Sequence, residues 1–362
     1  MQKKIVLLCL IGCIQFSCNP QNNSPSGNSG GSSGSSADWL IPQGQVFDGG
    51  PGKDGIPALS NPTFVSLDQI SYLSDEDLVI GFSHDGEYRA YPHNILDWHE
   101  IINDDLKGAK IAITYCPLTG TGIAWDRVIQ GTETTFGVSG LLYNSNLIPY
   151  DRHTDSNWSQ INLNCVNGVL KGERARTHQV LETTWKTWKE MYPNSMVMTT
   201  NTGFSRNYAN YPYGDYRTNN EKFLFPVSPS DERILSKERV LALIDDNKAK
   251  VYRFSNFEGG TKILIDNFNE NGIVVIGDKE KNFMVAYKTR LDGSANLTFE
   301  LAVEANKSII FRDNKGNKYD LLGTVIEGPD KGLSLYSTTS FMAYWFSIGA
   351  FYQAPIIYSG GN

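Results

Sequence analysis

Residues 77–92 align without a gap on residues 238–253, Tyr150 falls against Phe311 in the same register, and Trp185 falls against Trp345 after a slip of one position. A register that drifts so little over a whole copy marks a tandem duplication, so the chain has to solve one folding problem twice. Each copy reads as an apolar strand, a polar turn, a strand closing on Tyr91 or Tyr252, further strands and an aromatic-rich stretch, and it ends at Tyr192-Pro193 or Tyr352-Gln353-Ala354-Pro355. Positions shared by both copies are set by packing. Positions found in one copy only are where chemistry was added or lost.

Strands are predicted over 77–82, 88–91, 110–115, 122–126 and 134–138, and again over 239–243, 250–254, 273–276, 283–287, 297–301 and 308–312. They are short, rich in Val, Ile, Phe and Tyr, and bounded by Asp-Gly, Asp-Asn and Lys-Gly turns. The expected fold is mainly β (β-rich α+β), two tandem copies of a small antiparallel sandwich- or barrel-like unit with few short helices. Helices are expected over 95–102, 183–191 and 341–351. The first repeat spans 38–200 and the degenerate second repeat 236–362. The Gly-, Asn- and Tyr-rich connector over 201–235 is long enough to carry function or to wrap the surface.

Lys3-Lys4, an apolar run from Ile5 to Ile14 and Phe16-Ser17-Cys18 read as a lipoprotein signal over residues 1–18, with Cys18 acylated. Leu10-Ile11-Gly12-Cys13 is a competing lipobox, and an ordinary cleaved signal is the alternative. The run is too short to span a bilayer, so acylation would anchor the protein without crossing. Residues 19–37 form a Ser/Gly-rich tether. The expectation is an exported protein, lipid-anchored to a bacterial membrane on its periplasmic or cell-surface side. A net charge of −7 argues against nucleic acid as a partner. Beyond Cys18 the only cysteines are Cys116 and Cys165, which allow a single disulfide in the exported domain.

The first copy holds Trp98-His99-Glu100-Ile101-Ile102-Asn103-Asp104 and Thr114-Tyr115-Cys116-Pro117-Leu118-Thr119-Gly120-Thr121-Gly122, and the second copy keeps neither the His, the Glu nor the Cys. Cys116 closes an apolar strand and is followed by Pro117 and a Gly-punctuated loop, whose backbone N–H groups can lower a thiol pKa or hold an oxyanion. Three readings follow for Cys116, His99 and Glu100. They are a soft-ligand centre in which Cys116 and His99 bind copper or zinc, a Cys–His nucleophile pair, or a redox thiol. Asn103 and Asp104 extend that cluster. His93, after Tyr91-Pro92, flanks it.

A second polar stretch offers Ser139, Tyr143, Asn144, Trp158 and Gln160 as the lining of a pocket for a small polar ligand, which is the alternative reading as a non-catalytic binding module. Gly137-Val138-Ser139-Gly140 lacks a nucleophile elbow and gives no serine hydrolase. Asp151 and Arg152 read as an ion pair within one turn. The aromatic runs Trp185/Trp188/Tyr192 and Phe341/Tyr344/Trp345/Phe351/Tyr352 read as core. A plain scaffold with a Cys116–Cys165 disulfide is the third possibility.

Asp54-Gly55-Ile56-Pro57-Ala58-Leu59, Ala90-Tyr91-Pro92, His99-Glu100-Ile101-Ile102-Asn103-Asp104, Thr114-Tyr115-Cys116-Pro117-Leu118-Thr119-Gly120, Phe136-Gly137-Val138-Ser139-Gly140, Leu142-Tyr143-Asn144-Ser145-Asn146-Leu147 and Trp158-Ser159-Gln160 together resemble a bacterial family catalogued as domain of unknown function 3179. The resemblance covers nearly everything after the tether and implies fold and export more than biochemistry. The resemblance implies a second cysteine at this place in some relatives, where this chain has Thr119, which leaves Cys116 as the only thiol of the motif.

Overall fold

Short runs of β-branched and aromatic residues cut by polar turns leave little room for helix. The computed structural model, which describes residues 39–292 and 296–360, is accordingly a set of small, mostly antiparallel sheets with three short helices. The signal peptide, Cys18 and the whole tether lie outside the described residues. The mainly β class holds, with separate small sheets in place of a closed barrel.

The two segments lay down their elements in the same order. In the first, Leu181–Thr184, Leu78–His84, Glu87–Pro92 and Met196–Met198 are neighbours in one sheet. In the second, Thr339–Tyr344, Arg239–Asp245, Lys248–Arg253 and Ile356–Ile357 take the same places. Ile101–Leu106, Ala109–Cys116 and Thr121–Asp126 form a meander answered by Lys262–Phe268, Asn271–Asp278 and Phe283–Lys288.

Three helices interrupt the strands: α1 (His93–His99), α2 (Trp185–Met191) and α3 (Trp345–Phe351). Helices of seven residues are too short to persist alone and depend on packing. Trp188 and Trp345 are fully buried for that purpose. Thr184 caps α2, its hydroxyl accepting from the Thr187 N–H at 3.2 Å. The helix expected over 95–102 instead ends at His99, because Glu100 takes φ +58° and turns the chain into the strand Ile101–Leu106. At the matching place the second segment has only a 3-10 turn, Phe254–Phe257.

The two segments share their cores. Ile101, Cys116, Trp125 and Trp158 pack in one cluster with Val240, Ala242, Phe341 and Trp345, and Tyr216 of the connector is buried among them. Val79, Leu181 and Trp188 pack with Val274, Phe283 and Phe311 in another. Single hydrogen bonds cross the same boundary: Tyr344 N–H donates to the Thr119 carbonyl at 2.7 Å, and the Thr183 hydroxyl to the Lys281 carbonyl at 2.8 Å. Asp151 and Arg152 do not pair as expected. Asp151 accepts from the Trp158 indole at 3.1 Å, while Arg152 reaches Asp54 at 2.7 Å.

Candidate functional site

Where the two segments and the connector meet, a cavity of about 390 Å³ is lined by His93, Asp97, Tyr115 and Glu182 from the first segment, by Tyr208, Tyr211 and Arg217 from the connector, and by Lys237, Arg239, Asn282 and Tyr344 from the second. Local structure puts each side chain there. His93 and Asp97 stand four residues apart on α1 and so share one face. Glu182 lies on the strand that leads into α2. Gly120 (φ +58°) lets the Tyr344 ring approach, since a Cβ at that position would sit 2.9 Å from it. A Cβ on Gly122 would meet Ile80 at 2.4 Å and Glu182 at 3.4 Å. The glycines of the Cys116 motif therefore serve this cavity by clearing space for its walls.

Glu182 is the hinge of the charge arrangement. One carboxylate oxygen accepts from the Arg239 guanidinium, which also donates to Asn282 Oδ1 at 2.7 Å. The other lies 3.5 Å from His93 Nε2 without the alignment of a hydrogen bond. Burial works against the charge of Glu182, but Arg239 and then His93 outweigh it and hold its pKa below the usual range. Asp97 behaves in the opposite way. Burial, opposed by Arg217 and reinforced by Asp77, pushes it up to about 8, so it carries a proton at neutral pH. Burial likewise raises the pKa of Tyr115, Tyr211 and Tyr344 and keeps these phenols protonated.

Among the described residues, ten buried side-chain polar atoms lack a protein hydrogen-bond partner, and five of them belong to residues that line this one cavity: His93 Nε2 and Glu182 Oε2, which face each other at 3.5 Å, with Asp97 Oδ1, Tyr211 Oη and Lys237 Nζ. Each such atom costs about 1–3 kcal/mol when nothing satisfies it, so their convergence is a feature of a binding site rather than of a core.

All the cavity residues fall within residues 53–354, which match the family described as "Protein of unknown function (DUF3179)". The chain belongs to that family. No curated protein and no solved structure matches it.

In this family member the sequence-predicted constellation does not assemble as a reactive site. His99 is fully buried, with Nδ1 2.7 Å from the Pro57 carbonyl and Nε2 2.7 Å from the Tyr208 hydroxyl. A carbonyl only accepts, so Nδ1 carries the proton and Nε2 accepts from Tyr208, which leaves no lone pair for a metal or a thiol. Burial lowers its pKa in addition. The Cys116 Sγ–H donates to the Ser145 carbonyl at 3.5 Å, and burial, with the nearby Glu100, pushes the thiol up to about 11. That is an inert thiol, not an activated one. Glu100 is pushed up to about 8 by burial alone. Among the described residues no group of three or more His, Cys, Asp or Glu side chains is placed to hold a metal, so copper or zinc at Cys116 and His99 finds no geometric support. The Cys116–Cys165 disulfide of the third reading does not form, both cysteines being free and buried.

The remaining predicted ligand-binding residues are occupied with structure. Asn103 stitches the Leu59 and Phe136 backbones together. Asp104 takes Arg89 at 2.8 Å and the Tyr91 hydroxyl at 2.6 Å. Ser139 bonds the Ile148 carbonyl across an irregular strand pair, Tyr143 packs edge-on against Phe351, and Asn144 holds the Ser228 N–H at 2.9 Å. Gln160 donates to Thr114 and Thr121 and accepts from Asn146 at 2.7 Å. Trp158 is committed to Asp151. Asn103, Asp104, Ser139, Asn144, Trp158 and Gln160 thus all have protein partners for their polar atoms.

Asp97, Glu182, Lys237 and Arg239 escape sequence reasoning, and Tyr344, buried as its aromatic run predicts, also lines the cavity. One signal was readable. His93 answers Phe254, and Glu182 answers Met342 in the register of the two tryptophans, so a His and a Glu are each matched by an apolar residue in the second segment.

Proposed function

We propose that the cavity between the two segments binds a small polar ligand and that His93, Glu182 and Asp97 are its proton-handling groups. The observation that carries the reading is that five of the residues lining one cavity each hold a buried polar atom without a hydrogen-bond partner. An ionised Glu182 behind His93 orients the imidazole and supports it as a base, while Asp97, protonated near neutrality, is placed to act as an acid. The long His93–Glu182 contact is of the kind that tightens when a ligand fills the site. This keeps the small-ligand reading but moves it from the Ser139–Gln160 stretch to the cavity.

The test is a thermal-shift screen of monosaccharides, amino acids and small carboxylic acids against the wild-type chain and His93→Phe, the residue found at this place in the second segment. A true ligand at about 100 times its Kd adds about 2.7 kcal/mol to wild-type stability and is expected to add nothing to the variant. Equal shifts in both proteins would refute the site.

The same proposal places the domain outside the cytoplasm, tethered to a bacterial membrane by an acylated Cys18. Support comes from the apolar run ahead of Cys18 and the Ser/Gly-rich stretch after it. Palmitate labelling of cells is expected to mark the wild-type chain and not Cys18→Ala; label retained in the variant would point to Cys13 instead.

A further inference from the structure

Lys237 is the cavity residue whose chemistry a binding role leaves unused. It stands just ahead of the strand Arg239–Asp245, and its backbone N–H is held by Asn220 Oδ1 at 2.9 Å. The residue lines the cavity and is 6 % exposed, and its Nζ has no hydrogen-bond acceptor. Four rings surround that nitrogen: Tyr216 at 3.2 Å from the centroid, Phe223 at 4.7 Å, Phe346 at 4.9 Å and Tyr344 at 5.8 Å. Ring faces attract an ammonium, yet they supply no oxygen for its three N–H donors, and removing such an ion from water is costly. Burial accordingly pushes the amine down to about 7, against an ordinary lysine near 10.5.

We propose that Lys237 is a nucleophilic amine that forms an imine with a small oxo acid held in the cavity. The proposal rests on the binding role of the cavity and adds the chemical class of its ligand. In the step itself the Nζ lone pair forms a bond to the carbonyl carbon, the π electrons pass to the carbonyl oxygen, and that oxygen takes a proton. The carbinolamine then loses its hydroxyl as water and the nitrogen its remaining proton as the C=N bond forms. One water leaves, and nothing is oxidised or reduced. The protonated Asp97 carboxyl on the same cavity is the nearest acid by chemistry for the departing oxygen. Arg217, whose guanidinium lies 4.6 Å from the Tyr211 ring centroid at the exposed side of the cavity, matches the carboxylate of an oxo acid.

The experiment uses the full chain in detergent at pH 7 with glyoxylate and sodium cyanoborohydride, which converts an imine into a stable carboxymethyl amine. Acetaldehyde serves as the carbonyl probe without a carboxylate. Intact mass and peptide mapping are expected to show one carboxymethyl group per chain, on the peptide carrying Lys237, formed about 10–100-fold faster than on surface lysines and faster than the acetaldehyde adduct. Lys237→Arg, which keeps the charge, and Lys237→Met, which keeps the packing, are both expected to lose that adduct while retaining wild-type circular dichroism. Labelling spread evenly over lysines, and unchanged in both variants, would overturn the proposal. A thermal shift by glyoxylate without reductant separates the two levels: a shift with no adduct leaves the cavity as a binding site and removes the nucleophile, whereas neither shift nor adduct removes both.

Discussion

Glu182→Gln is expected to cost about 3–5 kcal/mol of folding stability and to abolish ligand binding. Glu182 is buried, carries the charge that neutralises Arg239 from the second segment, and stands behind His93. Glutamine keeps the volume but leaves a guanidinium with 18 % side-chain exposure facing a neutral amide, which is the costly way to break a buried pair. Urea unfolding followed by tryptophan fluorescence measures the loss. The companion variant Glu182→Met/Arg239→Met removes both charges and is expected to recover most of that stability, because apolar replacement of a buried pair is near neutral. Met342 already occupies the matching position of the second segment. The double variant is expected to fold and still fail to bind. A double variant as unstable as the single one would mean that the loss comes from packing and not from the ion pair.

The second large effect is one of sign. Asp97 has a folded pKa pushed up to about 8 against an unfolded value near 3.9, so between those limits the folded state holds a proton that the unfolded state has released. Its contribution to stability is fully present below about pH 4 and is lost as pH rises through about 8. Asp97→Asn removes that dependence. Near pH 8 the variant is expected to exceed wild type by on the order of 2–5 kcal/mol, and near pH 4 to match it within about 1 kcal/mol. Glu100, pushed up to about 8 in its own buried setting, and Asp320, pushed up to about 6, add dependences of the same sign, so the slope is expected to fall in Asp97→Asn and to fall further in Asp97→Asn/Glu100→Gln. Chemical denaturation of the three proteins at pH 4.5, 6 and 8 reads the effect. The same change in stability between pH 4.5 and pH 8 in wild type and in Asp97→Asn would show that Asp97 ionises freely in the fold. Gain of stability with loss of binding in Asp97→Asn is the expected trade for a group kept buried and protonated for function.

Both consequences follow from residues that the sequence did not single out. Cys116, His99 and Glu100 drew attention because they are chemically capable and missing from the second copy. Their absence there reflects packing instead: His99 bridges Pro57 and Tyr208, and Cys116 fills a core cluster shared by both segments. A residue present in one copy has two explanations, and only partners in space distinguish them. The pair His93 and Asp97 could have been found from its i, i+4 spacing once α1 was known to start at His93, but the boundary expected at residue 95 left His93 outside the helix.

What the sequence determined by itself was local and repetitive. Alternating β-branched and aromatic runs gave the strands, the polar turns closed them, and the long register between residues 77–92 and 238–253 set two segments with the same order of elements. The family was readable from motifs that run through most of the chain. Only the tertiary structure decided which polar groups were spent on the fold and which remained for a ligand. Glu182, Lys237 and Asp97 stand far apart in sequence and take on shifted pKa values only when burial removes water and, for Glu182 and Asp97, brings other charges near. Desolvation and long-range charge depend on distances across the chain, and no local pattern of residues records them.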